Sequence, residues 1–319
     1  MKAPKVSVVM PVYNGMPFLP QALGSILDQT FSDFELVIVN DCSTDNSKEY
    51  IKAVKDDRIV FVDLEQNQGV TGALRAGMEK VRGEYIARLD ADDEALPERL
   101  SKQVQFLDEN PEVGICGSSY YLIGDDDKKK KEINIGKDDL DIRWKALFKN
   151  PFVHSTVMIR RNILLSFNLN YNQKHGEDYA LWVAMLKHSK GHIFSEPLIH
   201  YRMHPNNWTT KKKDEQDNAS AIISSNLLRE LIDTGEIDPL TFSLWARGQV
   251  EVPWEQEPVL TRLYIDLIIA FVKKNIASEK NHQFVYSKLG LLRRRISAKS
   301  FFVPRILNLY IKSSIFRYL

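Results

Sequence analysis

Short apolar runs that alternate with helical patterns are the feature that most constrains the fold of this chain. Four runs rich in β-branched and aromatic residues have the length and composition of buried strands: 5–12, 34–40, 58–63 and 84–89. The segments between them carry apolar residues at helical spacing: 17–29, 45–55 and 68–81. Strands that alternate with helices in this way predict an α/β fold, in which a mainly parallel central sheet carries helices on both faces.

Polar segments follow three of these strands. They are residues 11–15 (PVYNG) after the first strand, 40–45 (NDCSTD) after the second and 90–92 (DAD) after the fourth. Ligands of such sheets bind at the carboxyl ends of the strands. We therefore expect the three segments to converge on one crevice.

Four acidic residues stand close together where the fourth strand ends. Asp90, Asp92, Asp93 and Glu94 repel one another, so burying part of this cluster requires a cation or many hydrogen-bond donors. If the segment is extended, Asp90 and Asp92 face one site while Asp93 points away. The alternative is a set of capping acids in front of a helix predicted at 96–107. Four acids exceed the need of a cap, which favours a metal site.

The pattern changes after residue 110. A strand is predicted at 113–123, a solvated loop at 125–131, and helices at 138–148 and from residue 176 onward. Long helical patterns dominate beyond residue 211. The sequence therefore predicts a sheet domain at 1–210 and a helical C-terminal region at 211–319.

Charge and cysteine content exclude several classes of protein. The net charge of +1 gives no global field for binding nucleic acid. The distribution is uneven, because residues 1–279 hold 34 basic and 42 acidic residues, whereas nine basic and no acidic residues follow. The two cysteines have neither a disulfide pattern nor zinc-ligand spacing. With no signal peptide and no apolar run of about 20 residues, we expect a cytoplasmic protein, either soluble or peripheral at the membrane.

Six motifs, read in chain order, make a more specific pattern: SVVMPVYNG, VIVNDCSTDNS, ARLDADD, HSTVMIRR, GEDYALW and YRMHPNN, within residues 5–208. They resemble the motifs of family 2 glycosyltransferases with the Rossmann-like GT-A nucleotide-sugar-binding fold, especially bacterial enzymes that build surface polysaccharides. The resemblance implies a UDP-sugar donor, a glycan or lipid-linked oligosaccharide acceptor, an inverting reaction, and Mn²⁺ or Mg²⁺ as cofactor. It makes 1–210 the catalytic domain.

The resemblance assigns the first two strand ends to the nucleoside. Tyr13, which follows Pro11 in the first motif, would lie against the uracil. Asp41 would accept a hydrogen bond from the ring N–H of the base. The alternatives are a turn residue for Tyr13 and, for Asp41, a helix cap together with Ser43.

The segment Asp90-Ala91-Asp92 resembles the DXD motif of the family. Asp92 would bind the divalent cation, and Asp90 would contact the nucleoside, the metal or its water shell. His204 resembles a further metal ligand or diphosphate contact on a loop that closes over the donor. Arg202 is the other candidate for the phosphates.

The acidic pair before the Leu-Trp dipeptide resembles the position of the catalytic base, which would take the proton of the acceptor hydroxyl. Of Glu177 and Asp178, we expect Asp178 to be the base. Its position at a predicted helix N-terminus would favour the charged form, which gives an ionised but weak base. The alternative is another helix cap.

Other residues match family positions less specifically. Asn67 and Arg75 resemble side chains that approach the base and ribose, with an exposed helix start as the alternative. His154 with Arg160 resembles a pair near the acceptor, with structural hydrogen bonding as the alternative. Trp182 is assigned to the core because of its helical spacing from other apolar residues.

The C-terminal tail is basic and apolar. Residues 293–295 are three arginines, and large apolar side chains follow between 301 and 316. Such a segment is typical of an element that binds an anionic membrane surface. The alternative is a helix packed against the catalytic domain or against a second copy of the chain in a homo-oligomer.

Three other functions compete with this interpretation. A nucleotidyltransferase on a similar sheet needs a Gly-rich, basic phosphate loop after the first strand, which PVYNG does not supply. A dinucleotide-binding dehydrogenase is disfavoured because no GxGxxG follows that strand. A catalytically inactive sugar-nucleotide-binding or assembly protein would retain the donor site, and the presence of Asp178 speaks weakly against it.

Overall fold

The computed structural model describes residues 3–124, 129–205, 207, 212–253, 256–275 and 281–296. The strands are β1 Val6–Val12, β2 Phe34–Asn40, β3 Ile59–Asp63, β4 Tyr85–Arg88, β5 Glu94–Ala95, β6 Val113–Ile123, β7 Lys129–Ile133, β8 Met158–Arg160 and β9 Lys190–Arg202. The helices are α1 Leu19–Leu27, α2 Ser47–Ala53, α3 Gly69–Met78, α4 Arg99–Glu109, α5 Asp139–Ala146, α6 Arg161–Ser166, α7 Glu177–Leu186, α8 Lys213–Arg229, α9 Pro239–Arg247, α10 Glu257–Asn275 and α11 Asn281–Ile296. A 3₁₀ turn, His154–Thr156, precedes β8.

The chain forms two compact units. The first comprises Met1–Ala146 and Asn150–Ala219, and the second comprises Leu147–Lys149 and Ser220–Leu319. The sequence places a boundary after residue 210, whereas this division falls within α8.

β1 lies at the centre of the parallel part of the sheet. It pairs with β2 on one side, Val6 opposite Phe34, and with β4 on the other, Val6 opposite Tyr85. β3 adds to β2, also in parallel. The order β3-β2-β1-β4 confirms the parallel sheet expected from the sequence. Strand order reverses between β1 and β4, which is where sheets of this kind bind ligands.

The other half of the sheet is mixed. β8 pairs antiparallel with β4 and with β6, β9 runs parallel to β6, and β5 runs antiparallel to β9. β7 pairs antiparallel with β6, Ile133 opposite Tyr120. The loop predicted at 125–131 is therefore wrong for its last three residues, because pairing with β6 satisfies the backbone of this charged segment. Residues 125–128 lie outside the described part of the chain.

Alternate residues of β1 face different helices, although the whole strand is buried. Val8 belongs to the core cluster that contains Leu23 of α1 and Leu100 of α4. Val9 lies on the other face, where it lines a small cavity with Leu74 of α3 and Trp182 of α7. Trp182 is 1% exposed, which confirms its assignment to the core.

α3 approaches the sheet closely at Gly77. A Cβ atom at this position would stand 2.8 Å from Val9 Cγ1 and 3.2 Å from Val39 Cγ2. Valine is stiff at χ1, so these methyl groups cannot easily move aside. Gly77 therefore sets the distance between α3 and the sheet.

The second unit is helical. Phe271 of α10 stacks on Phe284 of α11, with ring centroids 5.3 Å apart, and Val285, Leu289 and Leu292 are buried. α11 is therefore a packed helix up to at least Leu292. Residues 297–319, which carry most of the predicted membrane element, lie outside the described residues. No helix among the described residues is both long and apolar enough to cross a membrane.

The packing at Gly77 gives a prediction about stability. Gly77→Ala should lower the free energy of unfolding by about 1–3 kcal/mol, because the added methyl group overpacks the α3–sheet contact. Gly24→Ala in α1 is the matched control, since no atom lies within 4 Å of the added Cβ. We expect it to raise the free energy of unfolding by up to about 1 kcal/mol. Urea denaturation measures both, and equal effects would contradict the close approach of α3.

Candidate active site

Hydrogen bonds join the loops after β1 and β2. Asn14, which has a φ of 51°, accepts at Oδ1 from the backbone N–H groups of Thr44 at 2.8 Å and Asp45 at 3.3 Å. Its own N–H donates to Ser43 Oγ at 3.0 Å. Asparagine tolerates this left-handed backbone better than most residues. The two strand ends thus converge as predicted, and the loop presents Tyr13 with 54% of its surface exposed.

Asp41 is 2% exposed, and its contacts are with the start of α3. Its Oδ1 accepts from the backbone N–H of Gln68 at 2.7 Å, and its carbonyl oxygen accepts from Asn67 Nδ2 at 3.0 Å. Burial raises the pKa of Asp41, and the N–H groups of Gln68 and Gly69 oppose that rise. The carboxylate therefore caps the N-terminus of α3, so the capping alternative holds for Asp41, but without Ser43, which bonds to Asn14.

The remaining nucleoside candidates lie on neighbouring elements. Pro11 is half-buried in β1, opposite Val39 of β2. Arg75 is exposed in the last turn of α3. The residues predicted to hold the nucleoside thus come from β1, the loop after β2, and α3.

The acidic segment is a turn rather than an extended strand. The N–H of Asp93 donates to the carbonyl oxygen of Asp90 at 3.3 Å, which reverses the chain between β4 and β5. α4 begins only at Arg99, and Glu98 flanks its N-terminus without a capping bond. The helix-cap alternative is therefore wrong, and each of the four acids has its own partner.

Asp90 is anchored by two residues. Arg88 Nη2 donates to its Oδ1 at 2.5 Å, and Ser155 Oγ donates to its Oδ2 at 2.8 Å. Burial acts to raise the pKa of Asp90, but Arg88, His154 and Ser155 outweigh it and hold the pKa below its ordinary value. These bonds favour an anchoring role for Asp90 over direct binding of a metal.

Asp92 is the acid of the turn that lies beside His204. Its Oδ2 lies 3.0 Å from His204 Nε2 and 3.4 Å from Asn207 Nδ2, and 28% of its side chain is exposed. Carboxylate and imidazole both bind divalent cations, and Mg²⁺ sites often use one or two protein ligands with phosphates and water. Within the described ranges, no three His, Cys, Asp or Glu side chains are grouped as in a metal site. Asp92 and His204 therefore fit a divalent cation whose other ligands are water or the oxygens of a bound molecule.

Asp93 and Glu94 bind the end of β9. Asp93 is 1% exposed, and its Oδ1 accepts from the backbone N–H of Arg202 at 2.8 Å. Burial raises the pKa of Asp93 well above its ordinary value, and Asp92 and Asp90 add to the effect. Glu94 pairs with the guanidinium of Arg202. The turn is thus fixed to the strand that precedes His204.

Arg202 has a different role from the predicted phosphate contact. Its side chain is completely buried, and it donates to the carbonyl oxygens of Asp92 at 2.9 Å and Gly124 at 3.0 Å. The guanidinium also lies 4.6 Å from the ring centroid of Phe18. Because Arg202 has no exposed surface and donates to protein acceptors, its role is to stabilise the acidic turn through these buried hydrogen bonds.

Glu177 and Asp178 form the first turn of α7. Asp178 Oδ2 accepts from Asn150 Nδ2 at 2.7 Å, and its Oδ1 accepts from the N–H of Tyr179 at 2.7 Å. Burial raises the pKa of Asp178, although these two bonds oppose the rise and Asp90 contributes to it. Burial, with the neighbouring Asp178, raises the pKa of Glu177 to about 7. The expectation that the helix N-terminus makes Asp178 a weak base is therefore wrong, because burial outweighs it.

His154 and Arg160 do not form a joint site. His154 Nε2 lies 3.0 Å from the hydroxyl of Tyr171, and burial lowers the pKa of His154 to about 3. Arg160 Nη2 donates to the carbonyl oxygen of Leu107 at 2.8 Å. These contacts support the structural alternative for both residues.

Three residues of the site escaped the sequence analysis. Arg88 is a charged residue within a run predicted to be a buried strand. A buried charge needs a partner, so this position could have indicated an ion pair. Ser155 lies in the quoted HSTVMIRR motif but carries no distinctive chemistry. Asn150 has no sequence signal, because its contact with Asp178 spans 28 residues and depends on tertiary structure.

Comparisons with known proteins agree with this architecture. Residues 7–169 match glycosyl transferase family 2. An uncharacterized glycosyltransferase of Haemophilus influenzae is 29% identical over 315 residues, which cover 95% of this chain and 98% of the relative. The putative teichuronic acid biosynthesis glycosyltransferase TuaG of Bacillus subtilis is 30% identical, covering 66% and 85%. The O-antigen biosynthesis glycosyltransferase WbnJ of Escherichia coli is 32% identical, covering 65% and 82%.

Solved structures show the same fold. Residues 1–349 of TarS of S. aureus, in complex with UDP-GlcNAc, superpose with a TM-score of 0.61 at 17% identity, covering 84% of this chain and 81% of that TarS chain. The mannosyltransferase PcManGT of Pyrobaculum calidifontis, in complex with GDP-Man and Mn²⁺, gives a TM-score of 0.52 at 15% identity, covering 99% and 83%. The sheet, its helices and these likenesses identify the GT-A fold. Because the family match extends over half of the chain, the protein belongs to glycosyl transferase family 2.

Proposed function

We propose that this glycosyltransferase moves a sugar from a UDP-sugar to a hydroxyl group of a glycan or lipid-linked acceptor in the synthesis of a bacterial surface polysaccharide. One observation carries the proposal. The ends of β1, β2 and β4 bring Tyr13, Asp41 and the acidic turn to one edge of the sheet, and Asp90 there acts electrostatically on Asp178. The printed names of TuaG and WbnJ support a polysaccharide as the product.

Asp178 is the proposed base. Its carboxylate takes the proton of the acceptor hydroxyl while that oxygen attacks the anomeric carbon. The bond from this carbon to the diphosphate oxygen breaks, and its electron pair leaves with UDP. A single displacement of this kind inverts the configuration. The raised pKa of Asp178 makes it a better proton acceptor than an ordinary aspartate.

Asp92 and His204 are the proposed ligands of Mn²⁺ or Mg²⁺. Such a cation, when bound, neutralises charge that develops on the leaving diphosphate. Arg202 and Asp93 hold these two residues together by fixing the turn to β9.

A screen of nucleotide-sugars tests the proposal directly. Release of the nucleoside diphosphate is measured for UDP- and GDP-sugars with Mn²⁺, with Mg²⁺ and with a chelator, water serving as the acceptor. We expect the fastest release from a UDP-sugar with a divalent cation. Release from GDP-sugars alone would contradict the proposed UDP-sugar donor. Equal rates with a divalent cation and with a chelator would contradict the proposed metal dependence.

The C-terminal tail is the proposed membrane element that holds a cytoplasmic enzyme near a lipid-linked acceptor. Residues 297–319 contain four basic and no acidic residues among large apolar side chains. Basic residues near an anionic surface contribute about 1 kcal/mol each to binding.

Asp92→Asn should weaken the metal-dependent part of UDP binding by roughly 10- to 100-fold, because a ligand charge is lost. Asp90→Asn is the comparison, since Asp90 is anchored by Arg88 and Ser155. We expect Asp90→Asn to reduce UDP affinity to the same extent with and without Mn²⁺. Calorimetry measures both, and an unchanged Mn²⁺ effect in Asp92→Asn would remove this residue from the metal site.

Asp178→Asn should leave UDP affinity unchanged and slow sugar transfer by roughly 10²- to 10⁴-fold, as expected when a general base is lost. In the parent enzyme the rate should rise with pH along a limb whose midpoint lies above the ordinary aspartate pKa, since only the ionised carboxylate accepts the proton. Steady-state rates of UDP release between pH 4 and 9 measure both effects. Rates in Asp178→Asn equal to those of the parent would refute the assignment of Asp178 as the base.

Truncation after Ile296 tests the membrane element without removing the packed helix α11. The shortened protein should keep its UDP-sugar hydrolysis but no longer sediment with anionic phosphatidylglycerol vesicles, and binding of the full chain should weaken with salt. Neutral phosphatidylcholine vesicles are the control. The membrane role is wrong if the intact protein does not sediment with anionic vesicles. Lower thermal stability or a smaller oligomer after truncation would indicate that the tail packs against protein.

A further inference from the structure

Among the described residues, Asp178 has one side-chain hydrogen-bond partner outside its own helix. Asn150 lies in the loop after α5 and donates from Nδ2 to Asp178 Oδ2 at 2.7 Å. A hydrogen bond of this length to an ionised carboxylate is stronger than one between neutral groups. The loop therefore contacts the proposed base directly.

The orientation of the Asn150 amide is set by a second contact. Asn150 Oδ1 accepts from the backbone N–H of Phe152 at 3.2 Å. Because this oxygen is fixed on Phe152, the NH₂ group must face Asp178. Phe152 is itself buried, with its ring 6.4 Å from that of Trp182 on α7. Packing of Phe152 against Trp182 thus fixes the position of the Asn150 amide relative to α7, which carries Asp178.

Charges around Asp178 disfavour its ionised form. Glu177 precedes it on α7, and Asp90 approaches from the turn after β4. Tyr171, from the loop before α7, also interacts with Asp178, while the cation Arg88 acts on Glu177 and Tyr171. Two backbone N–H groups, those of Asp178 and Tyr179, and the side chain of Asn150 stabilise the Asp178 carboxylate.

We propose that Asn150 is a positioning residue for the reaction: its amide, held by Phe152, fixes the rotation of the Asp178 carboxylate and stabilises its charge through a hydrogen bond. This inference rests on the proposed role of Asp178 as the base. Three donors bond to the Asp178 carboxylate, and its two oxygens together have about four acceptor positions. One of these positions is then available for the proton of the acceptor hydroxyl.

Asn150→Asp is the most selective test. It has the same shape and keeps an oxygen for the N–H of Phe152, but it replaces the donor to Asp178 with a second acid. Loss of a hydrogen bond to a charged group, plus repulsion, should move the acidic midpoint of the pH–rate profile upward by about one pH unit or more. The rate at high pH should also fall, because the carboxylate loses the bond that orients it, whereas the KM for the UDP-sugar should stay near that of the parent. UDP release with water as acceptor is the assay.

Two further variants separate positioning from folding. Asn150→Ala should also raise the midpoint, with a lower plateau, because the carboxylate is no longer oriented. Asn172→Asp adds the same charge at an exposed position of the loop before α7 and should leave the midpoint unchanged. If both Asn150 variants keep the parent midpoint, or lose activity equally at every pH, the inference is wrong.

A measurement that does not depend on turnover separates this inference from the proposed function. The carboxyl carbon of Asp178, identified by its absence in Asp178→Asn, is titrated by ¹³C NMR in the parent and in Asn150→Asp. A higher midpoint in the variant supports the role of Asn150, even if Asp178→Asn proves active and the base is wrong. If the midpoint is unchanged and Asp178→Asn is inactive, the proposed role of Asn150 is wrong, but the assignment of Asp178 as the base stands.

Discussion

Two buried arginines allow four acids to stand within five residues at the edge of the sheet. Arg88 compensates Asp90 from β4, and Arg202 compensates the turn from β9 through its backbone N–H, its guanidinium and a bond to the carbonyl of Asp92. Charges this close would otherwise repel one another and oppose burial. Because three of the acids are used internally, Asp92 remains the one that the turn presents beside His204.

The same arrangement connects the two sides of the crevice. Ser155, in the 3₁₀ turn before β8, holds Asp90, and Asp90 in turn affects the pKa of Asp178 on α7. The residues of the proposed donor site and the proposed base are therefore not independent electrostatically. A change of charge at the turn will alter the ionisation of the acid pair on α7, even where no atom of α7 moves.

The sequence was sufficient for the elements whose pattern is local. The first four strands were predicted to within one residue at each end, because continuous β-branched runs between helical patterns have few other folds available. The roles of Asp93 and Arg202 were not predictable, since both depend on pairing between residues more than 100 positions apart. The prediction from side-chain alternation at Asp90 and Asp92 also failed, because it required an extended chain, whereas the structure has a turn at this segment. The raised pKa of Asp178 escaped prediction because helix position is visible in a sequence, whereas burial is not.

Helix α3 is attached to the sheet near both of its ends. Asp41 holds its N-terminus through Gln68 and Asn67, and Gly77 seats its last turn on Val9 and Val39. A helix fixed at two points cannot pivot, so the width of the proposed nucleoside site is set by backbone packing and not by loop length. A change in the width of that site would therefore require a change at Gly77 or at the bonds of Asp41, whereas substitutions at the exposed Tyr13 would leave both attachments of α3 intact.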